Sequence, residues 1–397
     1  MAGFEKYEKG ARKPKEQKCT EQESKKQKTL KIVFSVCVVI FTVAMYLAFG
    51  FFFDVFAECV PLLLIPIVII PLVASRKARL AAKGAIAGCV IFVVLSAAVF
   101  GAVGALAAPL KGEEICCGEV TRKVYSRSFM RDNYDIDQKI VVDIWLPEGY
   151  DENGKYPVIY VLDGDNLFEA TAGAASQACA RGDGDCIVVG IGYGYLNPSF
   201  ARGGIVWQDT EHLRGRWRDF CFADDTEPGY MPGTVFGGDT KRGAEYTSFI
   251  SDRLVPDIRA AYSTDPLDST ILGHSLGGGL AAYFLTQYDP AKGENNAFTN
   301  FVIVDNGYLQ YYNRRLPEFE QAVADFGGKT YSPVNVVRIW GGEVNPPAND
   351  EQLEQHEHLL SLGIEGLNSV FDIPEGANHS DTQLIGIDAA VKVTLGL

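Results

Sequence analysis

Histidine is scarce in this chain, five among 397 residues, and no two of its nine cysteines stand in a C-x-x-C pair. The missing pair removes the commonest framework for a tetrahedral zinc site. The scarcity of imidazole leaves few candidates for any general base. Basic residues are also lacking over most of the length: from residue 111 onward, 22 Lys and Arg face 43 Asp and Glu, a balance of −21. A surface of that sign repels polyanions, so nucleic acid is excluded as a partner. No internal repeat or low-complexity tract stands out after residue 31.

What is present divides into two regimes near residue 110. Residues 1–31 carry ten Lys and Arg against five Asp and Glu, and residues 1–29 read as a basic cytoplasmic head. Apolar runs follow. Residues 30–53 supply about the 20 apolar residues that cross a hydrocarbon core as a helix. Residues 57–74 are shorter and carry Pro61, Pro66 and Pro71, which a kinked span tolerates. Residues 85–108 form a third run whose small residues suit close helix packing. The first connecting loop holds Asp54 and Glu58, the second Arg76, Lys77, Arg79 and Lys83. Short cytoplasmic loops accumulate Lys and Arg, so the expected order is in, out, in, out. The lipid bilayer is thus an expected partner, residues 111–118 are a linker, and residues 119–397 form a domain outside the cytoplasmic membrane. In that setting Cys179 and Cys186 are close enough in sequence to close a small disulfide loop.

The domain alternates strand-like and helix-like stretches. Strand-length apolar runs fall at 120–128, 139–146, 156–163, 185–192, 269–274, 300–305, 334–340 and 369–373, with helical stretches notably at 247–262, 277–288 and 351–362. Continuous Val, Ile and Leu runs separated by helices predict a mostly parallel sheet covered on both faces. Eight strands is the count of the α/β-hydrolase fold. Residues 194–246 lack periodicity and are rich in Gly, Arg and aromatics, the mark of a lid or binding segment. Its Trp207, Arg216, Trp217 and Arg218 either line a pocket or pack the lid.

The strongest local signal is GHSLGGG at 273–279, between the strand STIL and the helical run GLAAYFLTQY. A tight strand-to-helix turn holds a serine out while glycines let the backbone pass close by. Ser275 is the expected nucleophile. A hydroxyl needs a base to take its proton, and in this fold the base follows late in the chain. His274 belongs to the elbow, His212 precedes it, and His356 and His358 lie in a charged helical stretch, so His379, in PEGANHSD, is the expected base. The orienting acid should follow the strand before it, in VVRIWGGEVNPPAND, which favours Glu343; Asp350, Asp305 in a rearranged triad, and a dyad without an acid remain open. The oxyanion should be met by the backbone N–H of Leu276 and by one from LDGDNLF, with Asp165 the expected donor.

The runs YPVIYVLDGDNLF, VVGIGY, RWRDF and LVPDIRAAYSTDPLDSTILGHSLGGG, with the late GANH, resemble an esterase family that includes siderophore, feruloyl and acetylxylan esterases and S-formylglutathione hydrolase. The likeness covers about residues 120–390 and is nearest the enterobactin-type siderophore esterases. It implies an α/β-hydrolase domain with Ser275 as nucleophile, His379 as base, and Leu276 and Asp165 as oxyanion donors. Family members often carry an acid two positions past Glu343, where this chain has Asn345. Where relatives commonly show serine-proline-serine, this chain has VDNGYLQYY. The expected reaction is hydrolysis of a small-molecule or glycan carboxylic ester through an acyl-enzyme, with no metal or organic cofactor needed. Acyl transfer from the same intermediate and a non-catalytic receptor on a hydrolase scaffold are the competing expectations.

Overall fold

Eight runs rich in Val, Ile and aromatic residues pair into one sheet, and their burial decides its form. The computed structural model describes residues 112–194, 215–216, 218–222, 241–306, 309–341 and 346–397, which fall in the unit Gly101–Leu397. The basic head and the three expected spans at 30–53, 57–74 and 85–108 lie outside the described residues. Among the described residues no helix is long and apolar enough to cross a membrane.

The strands are β1 (Glu119–Tyr125), β2 (Ile140–Leu146), β3 (Tyr156–Val161), β4 (Ile187–Gly192), β5 (Thr264–His274), β6 (Asn300–Val304), β7 (Lys329–Ile339) and β8 (Glu365–Asp372). Their order across the sheet is β1-β2-β4-β3-β5-β6-β7-β8. β2 runs antiparallel to both β1 and β4, and every other pair is parallel. This is an α/β-hydrolase-like mixed sheet, as expected. All eight sequence runs become strands. β5, β7 and β8 each begin four or five residues earlier than their apolar runs, because their leading halves are polar or half-buried.

The helices are α1 (Arg127–Tyr134), α2 (Gly164–Arg181), α3 (Gly243–Phe249), α4 (Val255–Ala261), α5 (Leu276–Thr286), α6 (Leu309–Asp325), α7 (Pro346–Ser361) and α8 (Asp381–Leu395); a π-helical turn, Ile250–Leu254, joins α3 to α4. Side chains alternate across each strand, so each sheet face has its own core. One face packs Leu167 and Phe168 of α2 and Ile387 and Ala390 of α8. The other packs Met130 of α1, Phe249 and Leu254, Leu280 of α5, Phe319 of α6 and Leu359 of α7. The segment 112–118 lies along α2: the Cys116 N–H donates to Ser176 Oγ at 3.1 Å, and Trp145 Nε1 donates to the Cys117 carbonyl at 2.9 Å.

The expected Cys179–Cys186 bridge is absent, and both thiols are free. Cys186 is buried at the start of β4 in the core beneath α2, whereas Cys179 lies on α2 itself, half-exposed, with Cys117 and Asp185 as its neighbours. Proximity in sequence does not align their sulfurs.

Candidate active site

β5 stops at His274 and α5 starts at Leu276, so Ser275 alone makes the turn, at φ 59° and ψ −118°. An L-residue is strained there, and the surroundings must hold it. The Ser275 N–H donates to the Val304 carbonyl at 2.9 Å, extending the β5–β6 ladder, and the Ser275 carbonyl accepts from the Gly279 N–H at 3.1 Å. A Cβ at Gly273 would sit 2.0 Å from the Gly277 carbonyl oxygen, and one at Gly278 would sit 2.4 Å from that of Val304. The elbow can close this tightly only with glycine at both places.

β3 lies beside β5, so the turns that follow them are neighbours at the same sheet edge. The Leu162 N–H donates to the Leu272 carbonyl at 3.0 Å. Asp163 then adopts φ 55° and α2 begins at Gly164, where a Cβ would lie 2.5 Å from Ile191 N. The Asp165 carboxylate accepts from the N–H groups of Tyr193 (2.6 Å) and Gly194 (2.8 Å), pinning the first turn of α2 to the end of β4. Leu276 and Asp165, the expected oxyanion donors, therefore stand in the first turns of α5 and α2, where the positive end of the helix dipole favours negative charge. The carboxylate of Asp163 is buried and grips the Arg216 guanidinium in a two-pronged pair, Nη2 at 2.8 Å. Arg218 pairs with Asp219 and Gln138. Arg216 and Arg218 are thus engaged by the domain, while Trp207 and Trp217 lie outside the described residues.

His379 sits in the loop between β8 and α8, its side chain 43% exposed. Its Nδ1 lies 3.2 Å from Asp305 Oδ2. Asp305 directly follows β6, with φ 45° and a side chain only 1% exposed. Its Oδ1 accepts from the Gly341 N–H at 2.6 Å, and Oδ2 also accepts from the Thr382 hydroxyl. Burial alone would raise the Asp305 carboxyl, but the hydrogen bonds from His379, Thr382 and Gly341 outweigh it and hold the group below the usual aspartate range. Asp305 is thus the carboxylate that meets His379 among the described residues. Glu343 lies outside them, as does Asn345; Asp350 falls within α7, but its side chain is not among those described. The contact comes one strand earlier than the loop favoured from chain order.

His274 completes the cluster. The ligand-type atoms of His274, Asp305 and His379 lie within 4.8 Å of one another. Burial and the neighbouring His379 push the His274 imidazole down to about 4, so it is neutral at physiological pH. Among the described residues no hydrogen bond joins Ser275 Oγ to His379, in keeping with the loose contacts of many unliganded catalytic sites. Sequence reasoning missed Asp163–Arg216, Thr382 and the role of His274; only His274 carried a signal, its place inside the motif.

Fold and site together define a class, the serine hydrolases acting on carboxylic esters. The comparisons agree. Residues 134–219 match the model of a family described as "Putative esterase", a stretch that runs from the end of α1 through β4 into the segment bearing Arg216. The chain is 26% identical over 251 residues to the ferri-bacillibactin esterase BesA of Bacillus subtilis (strain 168), covering 60% of this chain and 79% of that protein. Among solved structures, the BES protein of Bacillus cereus superposes with a TM-score of 0.55 at 21% identity, covering 72% of this chain and 99% of that one. The siderophore hydrolase EstA of Aspergillus nidulans gives 0.53 at 16% identity, covering 70% and 95%. At such identities the structural likeness speaks for the fold.

Proposed function

We propose that this chain is a membrane-anchored, extracytoplasmic esterase that cleaves siderophore-type carboxylic esters through an acyl-enzyme at Ser275. One observation carries the catalytic part: a serine held at φ 59° on a strand-to-helix elbow, at the sheet edge where His379 is oriented by a buried aspartate. The substrate class rests on the relatives, one of them an esterase of ferri-bacillibactin. The membrane placement rests on the apolar runs and the charges between them.

In this reading Asp305 holds the Nδ1–H of His379 and fixes the tautomer that leaves Nε2 as the base. Nε2 takes the Ser275 proton as Oγ bonds to the ester carbonyl carbon. The oxyanion faces the N–H groups of Leu276 and Asp165. Collapse breaks the ester C–O bond, and His379 gives its proton to the departing alcohol. Water then attacks the acyl-enzyme with His379 again as base, releasing the acid and restoring Ser275.

Fluorophosphonate labelling of the full chain tests the nucleophile. A single adduct on Ser275 is expected, lost in Ser275→Ala together with turnover of p-nitrophenyl butyrate and ferri-bacillibactin, by about 10³-fold or more. A folded chain that acquires no Ser275 adduct sinks the catalytic reading. Cleavage of the simple ester alone sinks the substrate class.

A further inference from the structure

We infer that His274, the residue immediately before the nucleophile, is a positioning residue that clamps the base-bearing loop onto the elbow. The inference rests on the catalytic reading of Ser275 and His379. His274 ends β5 with 5% of its surface exposed, and its Nε2 lies 2.8 Å from the carbonyl oxygen of His379. A carbonyl only accepts, so Nε2 carries the proton. Nδ1 is then the bare acceptor, and the side-chain amide of Gln383 stands 3.5 Å from it. Asp305 Oδ2 is 3.8 Å from Nε2, beyond hydrogen-bond reach. The two imidazoles also pack against each other, centroids 4.4 Å apart at 42°.

The loop needs such a tie. Between β8 and α8, Ile373, Glu375, Gly376, Asn378 and Ser380 are exposed, and the backbone bonds there are local, as from Ala377 to Pro374 and from Thr382 to Asn378. The His379 carbonyl accepts from His274 Nε2, while the Thr382 hydroxyl oxygen 3.0 Å away gives its single proton to Asp305 Oδ2. Thr382 belongs to α8 and is buried against Asp305. Asp305 fixes the ring of His379 from β6. His274 alone shares a turn with Ser275, so its hydrogen bond sets the main chain of the base relative to the main chain of the nucleophile. A displacement of about 1 Å between reacting groups costs about 10²-fold in rate.

Two substitutions of similar volume separate the hydrogen bond from packing. His274→Gln keeps an N–H donor near the position of Nε2; His274→Met keeps the bulk and loses the donor. In the full chain with p-nitrophenyl butyrate, His274→Met is expected to lower kcat by about 10²-fold with KM within about threefold, and His274→Gln to recover most of the loss. Hydrogen–deuterium exchange of the peptide spanning 374–383 gives a readout that needs no turnover: faster exchange in the Met variant, restored in the Gln variant. The clamp is overturned if the folded Met variant keeps kcat within twofold, if Gln is as impaired as Met, or if exchange is unchanged. Should the wild-type chain lack a Ser275 adduct, the catalytic reading fails by itself and the exchange data alone still decide the clamp.

Discussion

Asp305 shows how a carboxylate is kept ionised where burial opposes it. Three donors converge on its two oxygens, from His379, Thr382 and Gly341, and charge-assisted hydrogen bonds of this kind outweigh desolvation. The arrangement makes a direct prediction about which acid orients the base. Asp305→Asn keeps the shape but replaces one acceptor oxygen with a donor, so the tautomer of His379 is no longer enforced; kcat on p-nitrophenyl butyrate should fall by about 10³-fold or more. Glu343→Gln should leave kcat within about threefold. The opposite ranking assigns the role to Glu343, and two small effects point to a Ser275–His379 dyad. The elbow at Ser275 and the place of His379 after the last strand were legible in the sequence because each was constrained twice, by local motif and by chain order. The carboxylate that meets His379 was not, since chain order pointed past β7. What places Asp305 is register: Val304, the last residue of β6, pairs with His274, so the residue that follows stands level with Ser275. Register is a tertiary property that the run NFVIVD does not reveal.

At the level of elements, the strands were legible because buried parallel strands need continuous apolar runs. Their polar leading ends were not, and there a side-chain ladder supports the pairing. Asn368 Nδ2 donates to Asn335 Oδ1 at 3.0 Å, Asn335 to Asn300 Oδ1 at 2.8 Å, and Asn300 to Asp268 Oδ1 at 2.7 Å, crossing from β8 to β5. The ladder ends on a partly buried acid. Burial raises the Asp268 carboxyl to about 6, with Asp265 adding to the rise and the Asn300 hydrogen bond opposing it. The folded chain therefore holds this proton to a higher pH than the unfolded chain does. Between about 3.8 and 6 the group's contribution to stability declines as pH rises, and above about 6 the penalty is complete. Asp268→Asn keeps an acceptor oxygen for Asn300 and removes the charge. Chemical denaturation should find the variant more stable than wild type at pH 8, by on the order of 2 kcal/mol, with the gain gone by pH 3. A gain that persists at pH 3 would show that the charge is not its source.

For the whole molecule, the side of the membrane on which Ser275 works depends on whether the hydrophobic region crosses an odd number of times. The proline-bearing run 57–74 decides it: three spans carry a chain that starts in the cytoplasm to the outside, while two return it. The domain offers a reporter close to the junction. Cys116 is exposed, only a few residues beyond the last apolar run, and Cys19 lies in the basic head on the opposite expected side. In intact cells a membrane-impermeant maleimide should modify Cys116 and spare Cys19, with Cys19 reacting only after permeabilisation. Peptide mapping by mass spectrometry separates the two sites. Modification of Cys19 with protection of Cys116 would place the acyl-enzyme chemistry in the cytoplasm, where its ester would have to be imported before cleavage. Modification of both in intact cells would mean that the basic head is itself exported, against the charge distribution that orients the spans. An exterior Cys116 instead commits the enzyme to esters met outside the cytoplasm, and the acidic domain, with its balance of −21 from residue 111 onward, would then face away from the anionic inner leaflet that draws the lysine-rich head.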